Sequence, residues 1–211
     1  MRRGKFIAFE GGEGAGKSTQ ARLLADALAA RGIDCVVTRE PGGTPGAEAI
    51  RRLLLGTSGA GWHPRAEALL FAAARSDHVE RLIGPALETG KWVICDRFVD
   101  SSRAYQGGAG GLGDADVLAL HQVGSQGLLP DLTLLIEVSP ETAKARAAAR
   151  DGDASDRIGG RNAAYHAGVA GAFGDMAAAE PDRFTRIAGD GPTDLVHQHV
   201  LAALAPLLGA A

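Results

Sequence analysis

The 211-residue sequence predicts an α/β fold in three layers, a five-stranded parallel sheet with helices on both faces. Three observations carry this. Short apolar runs rich in β-branched or aromatic residues alternate with stretches of helical periodicity, which is the spacing of βαβ units. No internal repeat or domain-scale linker divides the chain, so residues 1–211 are expected to form a single domain. Glu10, Thr38, Asp96 and Glu137 stand at the ends of predicted strands. Right-handed crossovers gather such ends on one edge of the sheet, where ligands bind.

The elements follow in order. Residues 5–10 are an apolar run with aromatics, the first strand. The run breaks into Gly11-Gly12-Glu13-Gly14-Ala15-Gly16, and residues 18–31 then show helical spacing through Leu23, Leu24, Ala27 and Leu28 up to Gly32. Residues 33–38 form the second strand, 41–45 a Pro/Gly loop and 47–55 a helix, with a Gly/Ser linker over 56–64. Residues 65–89 read as one long helix with a kink at Pro85. The third strand covers 91–95, and a glycine cluster covers 107–113. Asp114 is expected to cap a helix reaching 123. The fourth strand spans 131–138, and Pro140 with Glu141 opens a helix carrying Lys144, Arg146 and Arg150. A polar, glycine-rich stretch over 151–160 precedes a helix from Asn162, a fifth strand near 184–187 and a last helix from Thr193.

Composition removes several classes. Alanine supplies 40 residues and glycine 30, yet there is no G-X-Y period, which excludes collagen. No apolar run approaches about 18 residues, so no membrane-crossing helix is expected. The apolar stretch behind Met1-Arg2-Arg3 ends at Glu10, too short for a secretion signal. A net charge of −3 argues against broad binding of nucleic acid or anionic membrane. Cys35 and Cys95 fit neither a zinc nor a redox spacing, and in apolar runs they point to reduced thiols in a cytoplasmic protein. His197 and His199 fall in an amphipathic helix pattern, where packed or solvated histidines outweigh a metal site. The cations are lopsided, with 18 Arg against Lys5, Lys17, Lys91 and Lys144. A GC-rich coding sequence explains such a bias in general, so each Arg must be judged by position.

Gly11-Gly12-Glu13-Gly14-Ala15-Gly16-Lys17-Ser18 matches G-x-x-x-x-G-K-[ST] between a predicted strand and a predicted helix, the context that gives the motif meaning. Backbone N–H groups must wrap a phosphate, so the loop needs positive φ and no Cβ in the way. The helix start adds the positive end of its dipole. Lys17 is placed on the β- and γ-phosphates, Ser18 on Mg²⁺, and residues 11–19, through Thr19, around ATP. The fold is thereby of the P-loop NTPase type. The N-K-x-D signature of regulatory GTPases is missing, since Asn162 is the only asparagine, and no transporter-type signature is present. A small-molecule kinase and a non-catalytic nucleotide-binding module remain.

The chain resembles the bacterial thymidylate kinases from end to end. The resemblance rests on F-I-A-F-E-G-G-E-G-A-G-K-S-T-Q at 6–20, T-R-E-P-G-G-T at 38–44, L-L-F-A-A-A-R at 69–75, D-R-F-V-D-S-S-R-A-Y-Q-G at 96–107, P-D-L-T at 130–133 and D-R-I at 156–158. It implies ATP + dTMP → ADP + dTDP with Mg²⁺, in a homodimer. It implies that Phe71 stacks on thymine while Arg75 bonds the base edge. The two lie at i, i+4 and share a helix face, a flat apolar surface beside a donor; the spacing alone leaves open a core Phe next to a surface Arg. It implies that Arg97 holds the acceptor phosphate, that Asp96 supports the metal or its waters, and that Arg39, with Glu40, makes a second contact. Residues alone leave structural ion pairs, Asp96–Arg97 and Arg39–Glu40, as the other reading. Ser101, Ser102, Tyr105 and Gln106 follow on one short helix and by resemblance line the dTMP pocket, Ser102 near the base and Tyr105 crowding the 2′ position of the sugar.

The loop carries Glu13 where one kinase subgroup has Arg, so the missing positive charge must come from elsewhere. Residues 150–161 are the expected lid. Its arginines, Arg150 and Arg157, join Lys17, Arg97 and Glu13 as the catalytic candidates, with Arg146 and Arg161 nearby. Gly159 stands in place of the family's usual acid, and Gly160 follows, which suits a flexible lid. The nucleophile is a phosphate oxygen already anionic at neutral pH, so positioning and charge neutralisation suffice without a strong general base. UMP, CMP or AMP as acceptor, and a non-catalytic ATP-binding regulator, stand as alternatives. The apolar faces of helices 47–55 and 66–88 are the expected dimer surface.

Overall fold

The computed structural model describes residues 3–151 and 156–209, without the side chains of Arg150 and Asp151. Five parallel strands lie in the order β2-β3-β1-β4-β5: β1 Phe6–Glu10, β2 Cys35–Arg39, β3 Trp92–Asp96, β4 Leu132–Glu137 and β5 Phe184–Ala188. The central strand is buried along its whole length because helices cover both of its faces. Alternate side chains serve opposite layers. Ile7 and Phe9 pack with Leu24 and Leu28 of α1 (Lys17–Ala29) and with Val196, Val200 and Leu204 of the last helix. Phe6 and Ala8 pack with Val79, Ile83, Leu87 and Phe98. A third cluster joins Tyr105 and Leu135 to Val169, Phe173 and Met176.

The remaining helices are α2 Pro45–Leu55, α3 Pro64–His78, α4 Gly84–Glu88, α5 Val99–Ser102, α6 Asp114–Ser125, α7 Pro140–Asp151, α8 Ala163–Ala179 and α9 Thr193–Leu208. Three expectations need correction. The 65–89 helix departs from α geometry before Pro85, through a π turn over Val79–Ile83. Pro85 has no N–H and its ring crowds the preceding turn. The ladder widens ahead of it, and Gly84 N–H reaches back to Val79 O. Asp114 does not cap α6. Gly113, at φ 94°, holds that position, and the Asp114 carboxylate accepts from Arg103 Nε at 2.7 Å and Nη2 at 3.0 Å instead. The short helix expected over 101–106 is α5 running into a second π segment, Arg103–Ala109. Thr44 caps α2 and Asn162 caps α8 through their side-chain oxygens.

Among the described residues no helix is long and apolar enough to cross a membrane, and Cys35 and Cys95 are free. Of the expected lid, residues 152–155 and the Arg150 side chain lie outside the described residues.

Candidate active site

The carboxyl ends of β1, β2 and β3 and the N-terminus of α1 open onto one cleft of about 810 Å³. Its floor is the glycine loop. Gly14 and Gly16 sit at φ 70° and 93°, backbone that a side chain resists. A Cβ on Gly14 would also collide with the carbonyl oxygen of Ala143 in α7. The loop N–H groups can therefore face a phosphate only with glycine at these points. Lys17 closes the loop on itself, donating from Nζ to Gly12 O at 2.7 Å and Gly11 O at 3.1 Å. Burial and the neighbouring Arg97 bring its pKa down to about 8, despite Asp96, Glu13 and Glu10. An ammonium held by two carbonyls in this way could exchange them for a phosphate. Ser18 at the helix start donates from Oγ to Asp96 Oδ2.

Arg97 takes positive φ, 71°, directly after β3, which turns its side chain across the sheet edge. Nη1 donates to Gly11 O at 3.0 Å and Ser101 Oγ at 3.1 Å, and Nη2 pairs with Glu13 Oε1 at 2.7 Å. The guanidinium lies 5.1 Å from the ring centroid of Tyr105, whose buried hydroxyl has no hydrogen-bond partner among the described residues. Beneath Arg97 lies Glu10, fully buried at the end of β1. It accepts from Phe98 N at 2.8 Å, Ser101 N at 3.1 Å and Ser101 Oγ at 2.6 Å. Glu10 caps α5 from another strand and so ties the α5 side of the cleft to the glycine loop. Burial and the Asp100 charge push its pKa up to about 7, against these hydrogen bonds and Arg97.

Arg75 is buried at the far end of the cleft. Nε donates to Glu40 Oε2 at 2.7 Å, and Nη2 donates to Ser102 Oγ at 2.7 Å and Phe98 O at 3.4 Å. Phe71, one turn earlier on α3, is half-buried and lines the same space. The neighbouring ion pairs differ from the adjacent-residue reading. Arg39 bonds Glu48 at 3.1 Å, Glu40 bonds Arg75, and Arg97 bonds Glu13.

The cleft thus gathers Glu13 to Thr19, Arg39, Glu40, Phe71, Arg75, Asp96, Arg97, Ser101, Ser102, Tyr105 and Gln106. Arg157 stands apart. Its Nε and Nη2 donate to Gly56 O at 2.8 Å and Ser58 O at 2.7 Å, on the linker between α2 and α3. Several wall residues carry no motif signal, Arg51, Thr193 and Val196 among them. Arg51 reaches in from α2, its Nη1 donating to Pro41 O at 2.7 Å. Thr193 and Val196 of α9 form the wall beyond Arg146. Glu10 was visible as a strand-end carboxylate, but its capping of α5 was not. Among the described residues no group of three or more His, Cys, Asp or Glu side chains could hold a metal. Ser18 and Asp96 still fit Mg²⁺, which binds through one or two protein oxygens, phosphates and waters rather than a dedicated cage.

The thymidylate kinase family model matches residues 9–200. The chain belongs to the thymidylate kinase family. It is 56% identical over 205 residues to the thymidylate kinase of Rhizorhabdus wittichii, covering 97% of this chain and 99% of that protein. It is 48% identical over 203 residues to that of Bradyrhizobium diazoefficiens, covering 96% and 89%. The crystal structure of thymidylate kinase from Ehrlichia chaffeensis superposes with a TM-score of 0.76 at 33% identity, covering 96% of this chain and 99% of that one. Membership makes the chain an ATP-dependent nucleoside monophosphate kinase.

Proposed function

We propose that the chain transfers the γ-phosphoryl group of ATP to dTMP, giving ADP and dTDP with Mg²⁺. The observation that carries this is one continuous cleft running from the Lys17 loop to the Phe71–Arg75 pocket, with Arg97 between them. Phe71 stacks on the base. Arg75 has Nε and Nη2 committed to protein and presents its remaining Nη1 side to the base edge. Tyr105 stands where a ribose 2′-hydroxyl would have to be desolvated, which favours the deoxy sugar.

Lys17 leaves Gly11 O and Gly12 O for the β- and γ-phosphates. Arg97 sits within reach of both the loop and the acceptor and holds the nucleophilic phosphate in line. Glu13, paired with Arg97, keeps that guanidinium aimed. Mg²⁺, when bound, neutralises phosphate charge, and Ser18 and Asp96 are the residues that would hold it. In the closed complex we place Arg157, and with it Arg150, on the transferring phosphoryl. Arg157 then exchanges three linker carbonyls, those of Gly56, Ser58 and Gly59, for an anion, a stronger partner. We also propose a homodimer through the outer faces of α2 and α3, where Leu53 and Leu69 are each 55% exposed.

ADP release measured by a coupled assay across dTMP, UMP, CMP and AMP tests the reading. dTMP is expected to have the highest kcat/KM by a wide margin. A ribonucleotide preferred over dTMP, or ATP binding without turnover, would contradict it.

A further inference from the structure

We propose that His78 is a positioning residue that sets the aim of Arg75, and so the choice between an oxygen and an amino group at the acceptor base's edge. The inference deepens the dTMP reading and rests on it. Five buried side chains form a chain into the cleft: Thr38, His78, Glu40, Arg75 and Ser102. Thr38 Oγ1 and His78 Nε2 are 2.7 Å apart, His78 Nδ1 and Glu40 Oε1 3.1 Å, Glu40 Oε2 and Arg75 Nε 2.7 Å, and Arg75 Nη2 and Ser102 Oγ 2.7 Å. Gly43 seals it. A Cβ there would collide with Thr38 Oγ1 and His78 Nε2, and its φ of 89° resists a side chain in any case.

The geometry explains what the histidine does. A carboxylate beside an arginine prefers to grip it with both oxygens. Here His78 occupies Oε1, so Glu40 holds Arg75 through Oε2 alone. The guanidinium is thereby kept turned towards Ser102 and the cleft. With Oε1 released, Glu40 can rotate to take Nε and Nη2 together and draw Arg75 off Ser102. Burying Glu40, Arg75 and His78 in a row carries a desolvation cost that apolar residues of the same volume would avoid. The return is an aimed donor, which favours a base with a carbonyl oxygen at its edge over one with an amino group.

Asn and Gln separate the two ring nitrogens. Asn places its amide near the Nδ1 position and keeps the Glu40 contact. Gln reaches the Nε2 position and keeps Thr38 instead. The readout is the ratio of kcat/KM for dTMP to that for dCMP, which is independent of the active fraction and so insensitive to partial misfolding. His78→Asn is expected to keep the wild-type ratio within about twofold, and His78→Gln to lower it about tenfold, the scale of one charge-assisted hydrogen bond. Thr38→Val frees the ring at Nε2 with little change in volume, and a smaller fall in the same direction is expected. Equal ratios in the Asn and Gln variants overturn the inference, as does an unchanged ratio in Thr38→Val where His78→Gln does not fold. A wild-type chain without dTMP turnover fails the functional reading and this inference together; wild-type dTMP preference with a flat ratio in the variants fails this one alone.

Discussion

At the scale of single residues, the cleft buries charge deeply enough that desolvation outweighs the partners it has. Lys17 and Glu10 both carry pKa values displaced towards their neutral forms, first by burial. Displacement of this kind is frequent at functional clefts, and structural networks such as the Glu10 cap of α5 produce it as well. Lys17→Ala is expected to lower kcat by about 10² or more in a steady-state assay, as loss of a charge-stabilising donor does; near-normal turnover would remove Lys17 from the phosphates. For Glu10 the sign is definite. Its folded pKa, about 7, lies above its ordinary value of 4.5, so the stability it contributes is full below pH 4.5 and is lost as the pH rises through 7. Urea midpoints at pH 5 and pH 8 should therefore show wild type losing stability relative to Glu10→Gln across that interval. A difference that does not change with pH would contradict the raised pKa. Residues whose identity is tied to a backbone shape, such as Gly14, Gly16 and Lys17, were legible in the sequence. Residues that act through a partner distant in sequence were not: Glu10 bonds Ser101 and His78 bonds Thr38, across separations that no local pattern encodes.

Among the elements, those whose ends carry capping or glycine signals could be placed from sequence. The first strand, the loop and α1 are examples. Departures came where the backbone yields to a long-range contact. Asp114 was free to serve as a cap until Arg103 claimed its carboxylate. The π turn at Val79–Ile83 exists because a helix must continue past Pro85, and periodicity does not register an extra residue in one turn. The glycine loop and α7 meet closely enough to predict the result of a change. Gly14→Ala should cost about 1–3 kcal/mol for the strained φ and more for the collision with Ala143 O, and should raise the ATP KM; unaltered ATP affinity would mean that the loop tolerates a shift from α7. The stretch holding Arg157 is read through kinetics. Arg157→Ala should lower kcat on the order of 10³ or more while leaving the dTMP KM within a few-fold, as for other arginines that stabilise a transferring phosphoryl. A change confined to KM would restrict Arg157 to its linker carbonyls at Gly56 and Ser58.

For the molecule as a whole, strand–helix alternation was enough to give the five-stranded parallel sheet, because a parallel sheet needs a crossover between strands and the crossovers here are helices. Strand order was not legible, since the β2-β3-β1-β4-β5 arrangement is fixed by which apolar faces meet. The half of the cleft around Phe71 and Arg75, proposed for the acceptor, could be read only through family resemblance; composition and spacing reached only the glycine loop and the strand ends around it. Assembly is tested by sedimentation. The wild-type chain should behave as a dimer, and Leu69→Glu on the exposed face of α3 should shift it towards monomer; an unchanged dimer would place the contact elsewhere.

The central claim is that one cleft holds donor and acceptor together, with the Lys17 loop at one end, the Phe71–Arg75 pocket at the other and Arg97 between. A single molecule in which thymidine and adenosine are joined through a chain of phosphates measures this directly. It should inhibit competitively against both ATP and dTMP and bind more tightly than either. Competition with only one substrate would contradict a shared, continuous cleft.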